Sequence, residues 1–378
     1  MNANPILLLR NAEVYAPEAL GRRDILLCGG RIAAMEEHLD PRLPGLTEVD
    51  AAGLLALPGL VDEHEHITGG GGEAGFSSRV PELTSRDLLS CGVTTVVGVL
   101  GTDSLTRSMQ QLLAKTKALK EEGLSAWCLT GAYTIESPTI TGSVKGDVCF
   151  LDEVLGVKIA INDHRCSMPT REELTRLASN VRLAALTARK PGVVHLHVGR
   201  GKHGLQLLFD ILEQTDLPIR QFRPTHCEGH LEEAVRFGRM GGYVDITADD
   251  NAELTAGQIL AAAGMPFEQL TMSSDAGGSI PIWNEKKEMV GMGVGTPATL
   301  LPVIRALWQG HGMPLSRALG LVTLHPAESL LLARKGRLEP GADGDLLLTD
   351  RDLKPSAVYA GGRLLWETPG FIAGRTFP

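Results

Sequence analysis

The chain has 378 residues, of which 43% are hydrophobic and 21% are charged, and its formal net charge is −9 at pH 7. This length suits one large domain with an appendage, and the composition is that of a soluble globular enzyme. The acidic balance argues against a nucleic-acid surface, and no apolar run approaches the ~18 residues that a transmembrane helix needs.

We expect no signal peptide in the N-terminal residues. It lacks a basic region, and the apolar run at residues 6–9 is too short for a signal peptide. Six cysteines are scattered without a CxxC pair, which suggests reduced thiols. We therefore expect a cytoplasmic protein that binds neither nucleic acid nor membrane.

Both ends of the chain are rich in short strand-like segments. The predicted strands are 6–9, 24–28, 31–34 and 48–51 near the start, and 345–348, 357–359 and 363–366 near the end. Glycine pairs at 29–30 and 361–362 mark turns between them. We predict that residues 1–57 and 336–378 together form one small β-sandwich domain.

The central region alternates between apolar β-rich runs and helical patterns. Its eight runs are one ending at Val61 and others at 92–100, 125–133, 156–163, 193–199, 220–226, 243–247 and 270–275. Helical patterns such as 104–122, 170–189 and 230–240 separate most of them. This predicts an α/β protein with a (β/α)₈ TIM-type barrel over residues 58–335. An open doubly wound sheet would need a glycine-rich phosphate turn leading into a helix, a pattern that 69–72 does not follow.

Candidate metal ligands fall at the ends of the predicted barrel strands, where the chemistry of such barrels lies. His64 and His66 point to the same face of an extended strand and can aim two imidazoles at one cation. The fifth, sixth and eighth strands end near His197, His226 and Asp275. His195 shares a face with His197, and we assign it to the core below.

Lys158 interrupts the apolar fourth strand. A buried lysine is costly unless its charge is paired or removed. It either forms an ion pair with a carboxylate or is carboxylated by CO₂, which would make it an anion able to bridge two cations. Asp275 is either a structural residue at a loop start or a ligand and general base.

In this order, these residues resemble the amidohydrolase superfamily and, within it, the isoaspartyl (β-aspartyl) dipeptidases. The segments that carry the resemblance are 69–75, 97–104, 129–133, 156–158, 163–165, 224–226 and 273–275. They are spread over most of the chain.

The resemblance implies a zinc-dependent dipeptidase with two Zn²⁺ per chain. His64, His66 and Asp275 would bind one zinc and His197 and His226 the other, with carboxylated Lys158 as the bridge. A metal-bridging hydroxide would attack the β-aspartyl amide, and Asp275 would serve as general base and then general acid.

The resemblance also implies substrate contacts. Tyr133 would stabilise the oxyanion, and Glu73 would bind the α-ammonium group. Gly71, Thr102 and Ser279 match positions near the substrate, and Arg165 matches an arginine that binds a carboxylate. A homo-oligomer is a further expectation from the resemblance.

One position departs from the family pattern, because Gly229 stands where the family has an arginine. The resemblance therefore does not specify which residue the dipeptide carries as its leaving group. Arg200 and Arg223 are candidates to compensate, and Glu228 suggests a basic leaving residue.

Alternatives to a dipeptidase are a cyclic-amide hydrolase of the hydantoinase or dihydropyrimidinase type, a mononuclear deaminase and a non-catalytic scaffold. The deaminase has no use for a carboxylated Lys158, and the scaffold is disfavoured because all six ligand candidates are present.

Overall fold

Strands from both ends of the chain pair in one nine-stranded sheet. A computed structural model of the chain describes residues 6–283, 289–368 and 370–371. The strands of this sheet are β1 (Ile6–Tyr15), β2 (Ala19–Cys28), β3 (Arg31–Glu36), β4 (Leu46–Asp50) and β5 (Leu55–Pro58), and then β16 (Leu346–Thr349), β17 (Pro355–Ala360), β18 (Arg363–Glu367) and β19 (Gly370–Phe371). Their order is β19-β18-β17-β16-β5-β1-β2-β3, and β4 also pairs with β1.

Strand β16 shows how this sheet packs against the rest of the molecule. Leu346 and Leu348 belong to the buried cluster of the nine-stranded sheet, whereas Leu347 belongs to the central core. Successive side chains of a strand point to opposite faces, so this strand contributes to both cores. The sandwich arrangement and the domain boundaries at 57/58 and 335/336 stay predictions. The extreme ends of these segments, residues 1–5 and 372–378, lie outside the described residues.

The central region contains eight parallel strands in chain order. They are β6 (Leu60–Glu65), β7 (Val93–Gly98), β8 (Ser125–Gly131), β9 (Val154–Ile161), β10 (Val193–Val198), β11 (Phe222–Thr225), β12 (Val244–Thr247) and β13 (Leu270–Ser273). Strands β6 to β11 form a curled six-stranded sheet, and β12 pairs with β13. A single parallel bridge between Glu65 and Ala276 connects the end of β6 to the residues after β13.

Helices follow most of these strands. They are α1 (Ser85–Leu89), α2 (Met109–Glu121), α3 (Val144–Phe150), α4 (Arg171–Ala188), α5 (Gln206–Gln214), α6 (Leu231–Arg239), α7 (Ala252–Ala261), α8 (Leu300–Arg305), α9 (Leu315–Gly320) and α10 (Leu324–Ser329). Ser108 and Thr170 cap α2 and α4 through their side chains, which fixes where these helices begin. In the part of the chain that the structure describes, no helix has the length and apolarity to cross a membrane.

The structure adds two features to the predicted order. The apolar run that ends at Val61 divides at Gly59 into β5 and β6, which lie in different sheets. A side chain at Gly59 would come within 2.2 Å of the Thr94 hydroxyl, so this crossing needs a glycine. A hairpin of β14 (Ser279–Trp283) and β15 (Met289–Val294) follows the eighth parallel strand.

Buried polar side chains connect the strands beneath the site. Asp245 accepts hydrogen bonds from the hydroxyls of Thr225 (2.6 Å), Ser273 (2.6 Å) and Thr271 (3.0 Å). The Thr271 hydroxyl also lies 2.6 Å from Glu63. Burial raises the pKa of both Asp245 and Glu63, so the pair retains a proton more readily than exposed carboxylates do. This network fixes the strands whose ends carry the candidate ligands.

We expect Asp245→Ala to lower the free energy of unfolding by about 2–4 kcal/mol, because the buried hydroxyls of Thr225 and Ser273 lose their acceptor, whereas Thr271 keeps Glu63. Asp245→Asn keeps one carboxamide oxygen as an acceptor and should cost less. Urea unfolding with a chelator present measures both variants without a contribution from metal binding. Equal stability of Asp245→Ala and the wild type would contradict this role.

Candidate active site

Three candidate ligands converge at the ends of the first and eighth parallel strands. The Nε2 atoms of His64 and His66 lie 3.4 and 3.2 Å from Oδ1 of Asp275. One donor atom from each of the three residues lies within 4.8 Å of the other two. We refer to His64, His66 and Asp275 as the His–His–Asp cluster.

Asp62 holds the two halves of this cluster together. Its carboxylate accepts hydrogen bonds from the backbone N–H of His64 (3.3 Å) and from the hydroxyl of Ser274 (2.5 Å). Asp275 itself has a left-handed backbone with φ of 50°, which turns the chain immediately after the strand. Burial works to raise the pKa of Asp275, but contact with His66 and the nearby His226 lower it to about 2. Asp275 is therefore an anion at neutral pH.

Lys158 lies in β9 and reaches the same point. Its Nζ is 3.2 Å from Nε2 of His64, and the side chain is fully buried. Burial lowers the pKa of Lys158 to about 7, although Asp275 opposes the shift. A substantial fraction of this amine is therefore uncharged near neutral pH.

The imidazoles of His197 and His226 lie beside the cluster. Their ring centroids are 4.6 Å apart, and the His226 ring is 5.0 Å from that of His64. His226 has a left-handed backbone with φ of 60°, and its Nδ1 shares a hydrogen bond of 2.7 Å with the Thr247 hydroxyl. The structure thus brings together all six predicted ligands.

Hydrogen bonds fix the orientation of these rings. Nε2 of His197 donates to Asp163 (2.9 Å), so its Nδ1 can accept a hydrogen bond from the Tyr133 hydroxyl (2.9 Å). Nδ1 of His64 shares a hydrogen bond with His195 (2.7 Å), which leaves Nε2 of His64 facing Lys158 and Asp275. His195 is therefore a buried partner of a ligand, in the layer where the sequence placed it.

The residues fit a divalent metal such as zinc. Burial lowers the pKa of His64, His197 and His226, so these imidazoles are neutral and keep a lone pair for a cation. Oδ1 of Asp275 is buried and has no hydrogen-bond partner among the described residues. Neutral imidazoles and a carboxylate are the ligands that zinc accepts, and second hydrogen bonds to the imidazoles are typical of zinc sites.

The glycine-rich loop lies next to the cluster and is tightly folded. Gly69 and Gly71 both have φ of 77°, and a side chain at either position would collide with the carbonyl of Val80 or Ser78. Arg107 donates to the carbonyls of Thr68, Gly70 and Val80 and so holds the loop in place. Only glycine allows this path.

Four predicted substrate residues form one chain of contacts. Glu73 accepts a hydrogen bond from Ser279 (2.6 Å) and lies 3.3 Å from Arg165. The Arg165 guanidinium lies 5.4 Å from the centre of the Tyr133 ring and binds Asp163 through two nitrogens. Although burial works in the opposite direction, the hydrogen bonds from His197 and Arg165 hold the pKa of Asp163 well below its usual range.

The other predicted substrate positions lie close by. Gly71 belongs to the glycine-rich loop and pairs with Arg79, and Thr102 is half-buried after β7. Gly101, immediately before Thr102, packs against the His66 ring. A Cβ at position 101 would lie 3.1 Å from Cε1 of His66. Within the described residues, the Thr102 side chain forms no hydrogen bond with the other predicted substrate residues.

The two arginines proposed to compensate for Gly229 behave differently. Arg223 is buried, and its guanidinium donates to the carbonyls of Arg220 and Ser329, so the expectation that it reaches the site is wrong. Cγ of Arg200 lies 4.0 Å from the position of a Cβ on Gly229. Arg200 is therefore the arginine next to this gap.

Sequence reasoning missed the roles of Asp62, Asp163 and Thr247, which form hydrogen bonds that orient the candidate ligands. Asp163 stands directly after β9, in a segment that already carried the family resemblance. Its position beyond a strand end was a usable signal. Thr247 is the last residue of β12 and had a similar signal, whereas Asp62 lies within β6 and had none.

Comparisons with known proteins agree on the superfamily and the fold, and they include proteins with different activities. The sequence profile of the amidohydrolase family matches residues 248–376. A crystal structure of β-aspartyl dipeptidase from Fervidobacterium islandicum AW-1, in complex with the β-Asp-Leu dipeptide, is 38% identical with a TM-score of 0.92, and the match covers 98% of this chain and 100% of that one. The dihydroorotase of Pelotomaculum thermopropionicum is 24% identical over 92% of this chain and 89% of its own. The D-hydantoinase of a Thermus species has the same fold at 16% identity, with a TM-score of 0.68 over 97% of each chain. These folds imply a TIM-type barrel for the central strands.

We expect Asp163→Ala to weaken zinc binding by about 10- to 100-fold, because His197 loses the acceptor that fixes its ring. Competition with a chromophoric chelator measures the affinity. Asp216→Asn, at an exposed aspartate, is the control and should bind zinc as the wild type does. Wild-type affinity in Asp163→Ala would contradict a role for Asp163 in orienting His197.

Proposed function

Because the chain belongs to the amidohydrolase superfamily and, within it, to the β-aspartyl dipeptidases, it is a hydrolytic enzyme, and we propose that it hydrolyses β-aspartyl (isoaspartyl) dipeptides with two zinc ions per chain. The observation that carries this proposal is the contact between Glu73, Ser279 and Arg165 next to the His–His–Asp cluster. A carboxylate, a hydroxyl and a guanidinium suit the ammonium and carboxylate groups of a dipeptide.

We assign the ligands as the family resemblance implies. His64, His66 and Asp275 would hold one ion, His197 and His226 the other, and carboxylated Lys158 would bridge them. When bound, the ions would lower the pKa of a water molecule toward neutrality and polarise the side-chain amide carbonyl of the substrate.

The surroundings of Lys158 support its carboxylation. An uncharged amine attacks CO₂ and releases one proton, which converts the side chain to an anionic carbamate. Burial holds the pKa of Lys158 at about 7, so the uncharged amine is available. The anion would then face the imidazoles and the cations rather than leave a buried positive charge unpaired.

Asp275 and Tyr133 would move and hold protons during the reaction. Asp275 is ionised at neutral pH and can take the proton of the attacking water and deliver it to the leaving amine. Burial raises the pKa of Tyr133, so its hydroxyl stays protonated and can donate to the developing oxyanion. Its present acceptor is Nδ1 of His197, a nitrogen that a metal would engage.

The remaining contacts would orient the dipeptide. Glu73 would bind the α-ammonium group of the β-aspartyl residue, and Gly71, Thr102 and Ser279 would surround its α-carboxylate. Arg165 is held rigidly by Asp163 and would bind a carboxylate through its planar guanidinium. Holding the amide in place in this way lowers the entropic part of the barrier.

A second candidate, hydrolysis of a cyclic amide, is favoured by the similarity to dihydroorotase over most of the chain. Such an enzyme would use the same metal ligands. It has no need for a carboxylate that binds an α-ammonium group, so Glu73 argues against it. Cytoplasmic location and assembly into a homo-oligomer stay predictions.

The direct test is a substrate panel with the zinc-loaded protein. We expect β-Asp-Leu to be hydrolysed, α-Asp-Leu and dihydroorotate to remain intact, and activity to disappear after chelation and return with zinc. Amino-acid release measured by chromatography gives the result. Turnover of dihydroorotate without turnover of β-Asp-Leu would replace this proposal with the second candidate.

Lys158→Met tests the bridging ligand, because methionine has a similar length but cannot form a carbamate. We expect the metal content to fall from about two zinc ions per chain and kcat to fall by at least about 1000-fold. Metal analysis and circular dichroism separate loss of metal from loss of fold. A folded Lys158→Met variant with full zinc content and activity would contradict the carbamate bridge.

A further inference from the structure

Glu228 is a charged residue at the edge of the site to which the proposed mechanism gives no role. It lies two residues after His226, in the short turn of residues 227–230 that follows β11. Burial raises the pKa of Glu228, and the carboxylate of Asp275 in the His–His–Asp cluster adds to the shift. Glu228 therefore belongs to the surroundings of the cluster.

The carboxylate of Glu228 is incompletely satisfied by the protein. Its Oε2 is shielded from solvent and has no hydrogen-bond partner among the described residues. Arg200 attracts the carboxylate electrostatically but does not form an ion pair with it. In the described part of the chain, no lysine or arginine nitrogen lies within 4.0 Å of a Glu228 carboxylate oxygen. A shielded carboxylate oxygen without a partner is costly, so a cation that arrives with the substrate would stabilise it.

Space for such a cation exists beside Glu228. The next residue, Gly229, is exposed and has no side chain, and among the described residues the only neighbour within 4 Å of a Cβ placed there is Cγ of Arg200, at 4.0 Å. Arg200 is exposed and can turn toward a carboxylate. A leaving residue with a basic side chain carries one negative and one positive charge, which match Arg200 and Glu228.

We propose that Glu228 determines specificity by binding the cationic side chain of the leaving residue, so that β-aspartyl dipeptides of arginine or lysine are the preferred substrate class. This inference rests on the proposed function and deepens it. The neutral space at Gly229 admits the long side chain, and the carboxylate of Glu228 supplies the charge that distinguishes it from leucine.

The experiment compares β-Asp-Arg with β-Asp-citrulline, whose side chain has nearly the same shape but no charge. For the zinc-loaded wild type we expect kcat/KM to be about 10- to 100-fold higher for β-Asp-Arg, the range of a charge-assisted hydrogen bond. In Glu228→Gln this ratio should fall close to one, mainly through KM. Glu232→Gln, the same change at an exposed glutamate of α6, should keep the wild-type ratio.

Each outcome decides between defined alternatives. A wild-type ratio near one overturns the inference, and so does a Glu228→Gln variant that slows both substrates equally, because that result indicates a structural role. Hydrolysis of β-Asp-Leu in the same assays shows that the proposed function holds even if the inference fails. If the wild type hydrolyses none of the three dipeptides, the proposed function fails and the inference with it.

Discussion

The site depends on a lysine buried in the middle of a parallel strand. Lys158 lies among neutral imidazoles and near one carboxylate, with its Nζ 3.2 Å from His64. A protonated amine at this position has no close anionic partner among the described residues other than Asp275. Such a group is tolerated in a low-dielectric interior only if its charge is removed or matched. The proposed conversion to an anion in contact with divalent cations would satisfy this constraint and would account for the histidines around the amine.

Hydrogen bonds beneath the candidate metal ligands fix the orientation of their side chains. Asp163, His195 and Thr247 each bind one nitrogen of a ligand imidazole, and Asp62 joins the turn before Asp275 to the first strand. Each of these contacts crosses between different strands. The parallel sheet therefore holds the donor atoms in defined positions, as metal binding requires.

The sequence predicted the alternation of strands and helices and all six candidate ligands, because both follow local patterns. Apolar runs identify parallel strands that are buried on both faces, and polar residues just beyond them identify the functional edge. The division of one apolar run at Gly59 was not predictable in this way, because it depends on a contact with Thr94 that no local pattern reveals. The hairpin after β13 joins two segments that are neighbours in the sequence, and the sequence analysis did not identify them as strands. The prediction for Arg223 was wrong because it rested only on proximity in sequence to His226. Sequence proximity does not show where the guanidinium of a long side chain lies, and here it contacts the carbonyls of Arg220 and Ser329.

A crystal structure of the zinc-loaded protein, with anomalous diffraction measured at the zinc edge, tests the central claim most directly. The account predicts two anomalous peaks among the six ligands and electron density for a carboxylate on Nζ of Lys158 that touches both. A bare amine at Lys158, with no peak between the imidazoles after exposure to excess zinc, would contradict it.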